Sequence, residues 1–167
     1  SLVFSRPPSF NEADVSDKPS WVRALPLVNN SSVTKVQRRT VCSLKAVDEA
    51  VGAILDALGP EVDNTVVIFT SDNGFSFGEH RWRGKQCEFD ECFRVPLAIR
   101  YPALITPGST SSKFALNIDL APTIADIVGT VIPISVNGRS LVPLFADPNA
   151  SWRDDFLVES KRNGMSL

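Results

Sequence analysis

The chain has little of most residue types that announce a chemistry. Among 167 residues it has one histidine, one methionine, one tyrosine and three cysteines. The cysteines, at positions 42, 87 and 92, match no zinc-ligand or redox spacing, which removes those sites from consideration. Cys87 and Cys92 can pair only if the loop between them folds back, and free thiols are the expectation. No apolar run approaches the roughly 20 residues of a membrane span. Charge of one sign is missing too: 17 Lys and Arg stand against 19 Asp and Glu, for a net charge of −2. That balance leaves no basic footprint, so nucleic acid is excluded as an expected partner. No repeat or low-complexity tract interrupts the sequence.

What is present fits a globular chain. The length suits one domain burying about 70% of its unfolded surface. The 43% apolar and 22% charged fractions are ordinary for such a domain. Residues 1–32 are proline-rich and polar, with Phe10 and Trp21 as isolated anchors, and read as an irregular segment draped over a core. From Val33 to Leu58 the apolar residues Val33, Val36, Val41, Leu44, Val47, Val51, Ile54, Leu55 and Leu58 recur at helical spacing. That pattern predicts a core-facing helix, capped by Ser32 and stopped by Gly59-Pro60. Asp63-Asn64 then turn the chain into a strand over residues 66–71. A helix followed by a buried strand argues an α/β fold. Further on, Asp119 is expected to cap a short helix that ends before Gly129. Residues 131–150 read as turns and loop, and Phe156–Ser160 as a starting strand.

The stretch Val66-Val-Ile-Phe-Thr-Ser71-Asp72-Asn73-Gly74 is the most informative. It is too short for a membrane span, and its β-branched residues favour a central strand over a helix. In open α/β sheets, ligands sit beyond the carboxyl ends of strands. There Asp72 and Asn73 offer two hard oxygens, and Gly74 permits the turn that lets them converge. The same four residues also suit an ordinary turn. The loop that follows shifts the balance, because it carries Gly78-Glu79-His80 and then Gly84-Lys85. An ammonium is a compact charge with three donors, suited to an oxyanion or a leaving oxygen. The imidazole of His80 can contact a substrate or act as an acid, and it also suits a hydrogen bond within its own loop. Arg81 and Arg83 add positive potential or remain solvated. Arg94 to Pro102 reads as a strand with prolines at its margins.

Taken together, residues 65–102 resemble the sulfatase family of the alkaline-phosphatase superfamily, on the side of the N-acetylglucosamine-6-sulfatases. The resemblance rests on the strand with Ser71-Asp72-Asn73-Gly74, on Gly78-Glu79-His80, on Lys85 five residues later, on the aromatic-acid step at Phe89-Asp90, and on Arg94-Val95-Pro96-Leu97. Weaker agreement extends to residues 6–19, Val47–Gly52, Asn117–Thr123 and Gly138–Leu141. The resemblance implies an alkaline-phosphatase-like sandwich, a mixed and mostly parallel sheet flanked by helices, with residues 33–160 as the C-terminal part of a catalytic domain and 161–167 as a truncated tail. It implies that Asp72 and Asn73 ligate a metal, calcium by expectation. Lys85 is then the sulfate contact, His80 a pocket-lining catalytic candidate, and the partner an anionic sulfated small molecule or glycan. A secreted, periplasmic or lysosomal setting follows from the family.

The family nucleophile is a formylglycine made from a Cys/Ser-x-Pro-x-Arg motif, and no such motif occurs in these residues. Ser5-Arg6-Pro7-Pro8-Ser9 has the proline and arginine in the wrong places. A matching Asp-Asp pair is missing as well. The chain therefore reads as an internal or C-terminal piece, inactive by itself and unable to hold calcium tightly with two ligands of about six. The other readings are a noncatalytic remnant or interaction domain, or part of a phosphodiesterase or phosphonate hydrolase of the same superfamily.

Overall fold

Asn29 starts the longest element. Its side-chain oxygen accepts from the Ser32 amide at 3.0 Å, satisfying a donor that the first helical turn leaves open. The expected cap therefore lies three residues before Ser32. The computed structural model of the chain describes residues 3–158, which group into two compact units. One comprises 3–59 and 73–96, the other 60–72 and 97–158.

In the first unit, α1 is a single turn, Ser20–Arg23, and α2 runs over Asn30–Leu58. The guanidinium of Arg6 clamps the start of α2, donating to Asn30 Oδ1 at 2.8 Å, Thr34 Oγ1 at 2.8 Å and Gln37 Oε1 at 2.6 Å. Gly59, with φ of +52°, ends α2 in a conformation that a β-carbon disfavours. Of the α2 residues only Val33 is buried, whereas Leu44, Val47 and Ile54 are exposed. The expectation of a core-facing helix thus holds in part: Val36, Val41, Val51, Leu55 and Leu58 are half-buried, and full burial is confined to the first turn. Two short strands, β2 (Ser76–Phe77) and β3 (Arg83–Gly84), pair antiparallel, and α3 is the turn Asp90–Phe93.

In the second unit, the predicted strand is β1, Val67–Thr70, paired antiparallel with β4, Leu97–Arg100. Val67 lies opposite Arg100 and Thr70 opposite Leu97. Arg100 closes the far end, donating to Val62 O and Asp63 Oδ1 at 2.5 Å each. Pro96 and Pro102 flank β4, where a missing amide costs no ladder bond. β1 is half-buried to exposed rather than buried on both faces. Both described sheets are two-stranded and antiparallel, so the mostly parallel sheet is not formed among the described residues. Among the described residues, each strand has one strand partner.

The core of this unit is built around α4, Leu120–Ile127, and α5, Val142–Ala146. Thr123, Ala125, Leu141 and Leu144 are buried there. α5 corrects the expectation of loop over 131–150; Pro143 sits in its first turn, where a missing amide costs nothing. Gly129, with φ of +69°, ends α4, and the Thr130 amide reaches back to Ala125 O at 2.9 Å. Asp119 does not cap α4 with its side chain. It is fully buried and takes the Leu116 amide at 2.8 Å, the Arg139 amide at 2.8 Å and both arms of Arg153 at 2.5 and 2.9 Å. Residues 156–158 form no strand. The remainder of that predicted strand, and the tail 161–167, lie outside the described residues.

Candidate functional site

One of the chain's crossings between the two units falls at the Asp72–Asn73 peptide. On one side, β1 ends at Thr70 and leads to Asp72, an exposed carboxylate with the Ser71 hydroxyl 3.5 Å from its Oδ1. On the other, Asn73 donates its amide nitrogen to Gly74 O at 2.9 Å, which fixes the direction of its Oδ1. Lys85 Nζ lies 3.4 Å from that oxygen. The pairing of Lys85 with Asn73 is therefore present in the fold, across twelve positions of sequence.

Gly74 serves a different purpose from the one its residue type suggests. Its φ is not positive; instead, a β-carbon there would stand 2.1 Å from Glu91 O. Its amide donates to Cys92 O at 2.8 Å, so the turn after Asn73 is pressed onto α3. Cys87 and Cys92 form a disulfide, which corrects the expectation of free thiols. The helical turn at Asp90–Phe93 reverses the chain and brings the two Cα atoms to 5.5 Å, within bonding reach. Cys42, exposed on α2, is the free cysteine among the described residues.

The hairpin before Lys85 is held by residues that sequence reading passed over. Ser76 is fully buried, and its hydroxyl sits 3.0 Å from Glu79 Oε2 and 2.8 Å from Trp82 O. The Phe77 amide donates to the same Glu79 oxygen at 2.6 Å. Glu79 is thus a structural carboxylate within the Gly-Glu-His string. Its partners are only two and three positions away, and the backbone reversal at Gly78 turns them toward the carboxylate. Gly78, with φ of +122°, also lies where a β-carbon would meet the Phe10 ring at 2.5 Å.

His80 is tied to the N-terminal segment. Its Nδ1 is 2.7 Å from Glu12 Oε1, its amide donates to Ser9 O at 2.8 Å, and its ring lies 4.1 Å from that of Phe89. Its Nε2 faces Glu91 Oε2 at 3.9 Å. Arg81 is spent on the backbone carbonyls of Glu12 and Ala13, at 3.0 to 3.1 Å. Arg83 is exposed, 3.3 Å from the Ser32 hydroxyl. Leu25, Leu27, Trp82 and Arg83 border an open apolar groove of about 360 Å³ beside β3.

Metal chemistry asks for clustered donors. No group of three or more His, Cys, Asp or Glu side chains capable of holding an ion occurs among the described residues. Asp72 and Asn73 each carry a hard oxygen of the kind calcium prefers.

Residues 78–160 match the family model for N-sulphoglucosamine sulphohydrolase, C-terminal. An N-acetylglucosamine-6-O-sulfatase of Bacteroides thetaiotaomicron is 43% identical over 121 residues, covering 70% of this chain and 22% of the relative. The chain belongs to the sulfatase family. The human N-acetylglucosamine-6-sulfatase is 35% identical over 150 residues, covering 84% of this chain and 27% of the relative. A solved structure in complex with its substrate D-glucosamine-2-N,6-O-disulfate has a TM-score of 0.68 and 40% identity, covering 73% of this chain and 26% of its own. This sulfatase chain accordingly spans about a quarter of the length of the curated relatives it matches. Its likeness to solved sulfatases carries the α/β, alkaline-phosphatase-like assignment of the fold.

Proposed function

We propose that the polypeptide carrying this chain hydrolyses sulfate esters of an amino sugar, and that this chain supplies the sulfate-facing cation and part of the metal shell. The observation that carries the reading is the 3.4 Å approach of Lys85 Nζ to Asn73 Oδ1. That contact orients an exposed ammonium on an amide that follows the carboxyl end of β1 by three positions in sequence, and α/β folds address ligands from such loops. An amide oxygen has two lone pairs, so Asn73 Oδ1 can steady Lys85 and still face a cation. The sulfatase resemblance supplies Asp72 as the second ligand. Calcium, when bound, neutralises the anionic ester and orients it for attack.

Lys85 then stabilises charge where it develops, on a sulfate oxygen or on the sugar oxygen as it leaves. The nucleophile, formylglycine by family resemblance, comes from outside these 167 residues, in which its motif does not occur. His80 serves as a wall of the site, held by Glu12 and stacked on Phe89, rather than as the proton donor. The sugar assignment draws on the amino-sugar sulfatases among the relatives and on the groove bordered by Trp82, Leu25 and Leu27. A disulfide at Cys87–Cys92 suits an oxidising compartment, consistent with a secreted, periplasmic or lysosomal enzyme.

The test is release of sulfate from glucosamine-6-sulfate by the natural polypeptide, compared with an aryl phosphonate ester. Sulfate release that is lost in Asp72→Ala and in Lys85→Ala supports the reading. Preferential turnover of the phosphonate, or sulfate release indifferent to both substitutions, defeats it. The 167-residue chain alone is expected to show no turnover with either ester.

A further inference from the structure

Lys85 is an exposed side chain on a loop, and such side chains are ordinarily mobile. Its backbone is nonetheless bracketed. Gly84, immediately before it, has its carbonyl oxygen 3.5 Å from Cys92 Sγ. A bridged sulfur has no proton, so this is a packing contact. Two residues after Lys85, Cys87 is bonded to the same Cys92. The carbonyl of Cys92 in turn holds the Gly74 amide at 2.8 Å, and Gly74 directly follows Asn73. Both partners of the Lys85–Asn73 pair are thus referred to one residue, Cys92. Both cysteines are 5% exposed, so the reference point is itself packed.

A second observation points the same way. Gln86, between Lys85 and Cys87, has φ of +63°, a region that residues with a β-carbon seldom occupy. A conformation of that kind persists where the surroundings over-determine it. A disulfide closing so short a loop removes little entropy from the unfolded chain, so general stabilisation is its weaker contribution.

We propose that the Cys87–Cys92 disulfide is a positioning element that sets Lys85 against Asn73, a role that rests on the sulfatase reading of Lys85. The cysteines touch no substrate; they act through the loop. If Lys85 serves the leaving oxygen, loosening it costs most where that oxygen is most basic.

The experiment uses the natural polypeptide with Cys87→Ser/Cys92→Ser, and with Cys87→Ala/Cys92→Val as a second, space-filling pair. Turnover is measured on glucosamine-6-sulfate, a poor leaving group, and on an activated aryl sulfate. The expected result is a fall in kcat of about ten- to a hundredfold on the sugar sulfate and a much smaller fall on the aryl sulfate. Adding either pair to Lys85→Ala is expected to cost little more than Lys85→Ala alone, since both act on one interaction. Equal losses on the two substrates, losses additive with Lys85→Ala, or unchanged kinetics would overturn the proposal. So would failure of both cysteine pairs to fold, which would make the bridge a general staple. If Lys85→Ala itself retains full activity on both substrates, the underlying sulfatase reading fails instead.

Discussion

Asp119 and Asp72 both lie in the second unit, each shortly after an apolar stretch, yet their circumstances are opposite. Asp119 is fully buried, met by the amides of Leu116 and Arg139 and by both arms of Arg153. Asp72 stands exposed at the end of β1. A buried carboxylate must be neutralised by its own fold, and one so engaged has no capacity left for a ligand. An exposed one keeps its hydration and can exchange water for a cation. Burial, rather than residue type, separates the structural aspartate from the candidate ligand.

The largest effect is expected at Asp119. Asp119→Ala strands the Arg153 guanidinium and two amides, and it is expected to cost about 3–5 kcal/mol in a urea melt. A loss under 1 kcal/mol would show that the ion pair is dispensable. Acidity probes the same contact. Burial opposes the charged form of Asp119, but Arg153 and the Arg139 and Leu116 amides outweigh it, so its carboxyl lies below the usual 3.8. A folded-state value below the unfolded one gives stability that is complete above the unfolded value and is lost as pH falls through the folded one. The melting temperature should therefore lose this contribution only below about pH 4. Asp119→Asn should remove that acid limb.

Lys85→Ala tests the exposed side of the comparison. It is expected to lower kcat of the natural polypeptide by about 10²–10³ while leaving the melting temperature unchanged. A destabilised protein with intact turnover would reverse the assignment. Smaller effects sharpen the contrast within α2. Asn29→Ala removes the cap and should cost about 1 kcal/mol. Ile54→Ser, on the exposed part of the stripe, should change the stability of this chain by less than about 0.5 kcal/mol.

The disulfide and the α2 stripe show where sequence reading reached its limit. Helical spacing correctly gave a helix ending at Gly59, because dihedral preferences and the 3.6-residue period are properties of near neighbours. The same spacing could not say what covers Leu44, Val47 or Ile54. Cys87 and Cys92 are five positions apart in any conformation, and only the α3 turn brings them to bonding distance.

By itself the sequence determined the strand running into Asp72 and Asn73, the lysine that follows, and the stops at Gly59 and Gly129. Each depends on residues a few positions apart, whose geometry the backbone constrains directly. The tertiary structure alone decided the antiparallel pairing of β1 with β4 and the Cys87–Cys92 bridge next to Lys85. It also decided the burial of Asp119 against Arg153, 34 positions away, and the hold of Glu12 on His80, 68 positions away. Such contacts cost loop-closure entropy that only the assembled unit repays, so no local pattern records them.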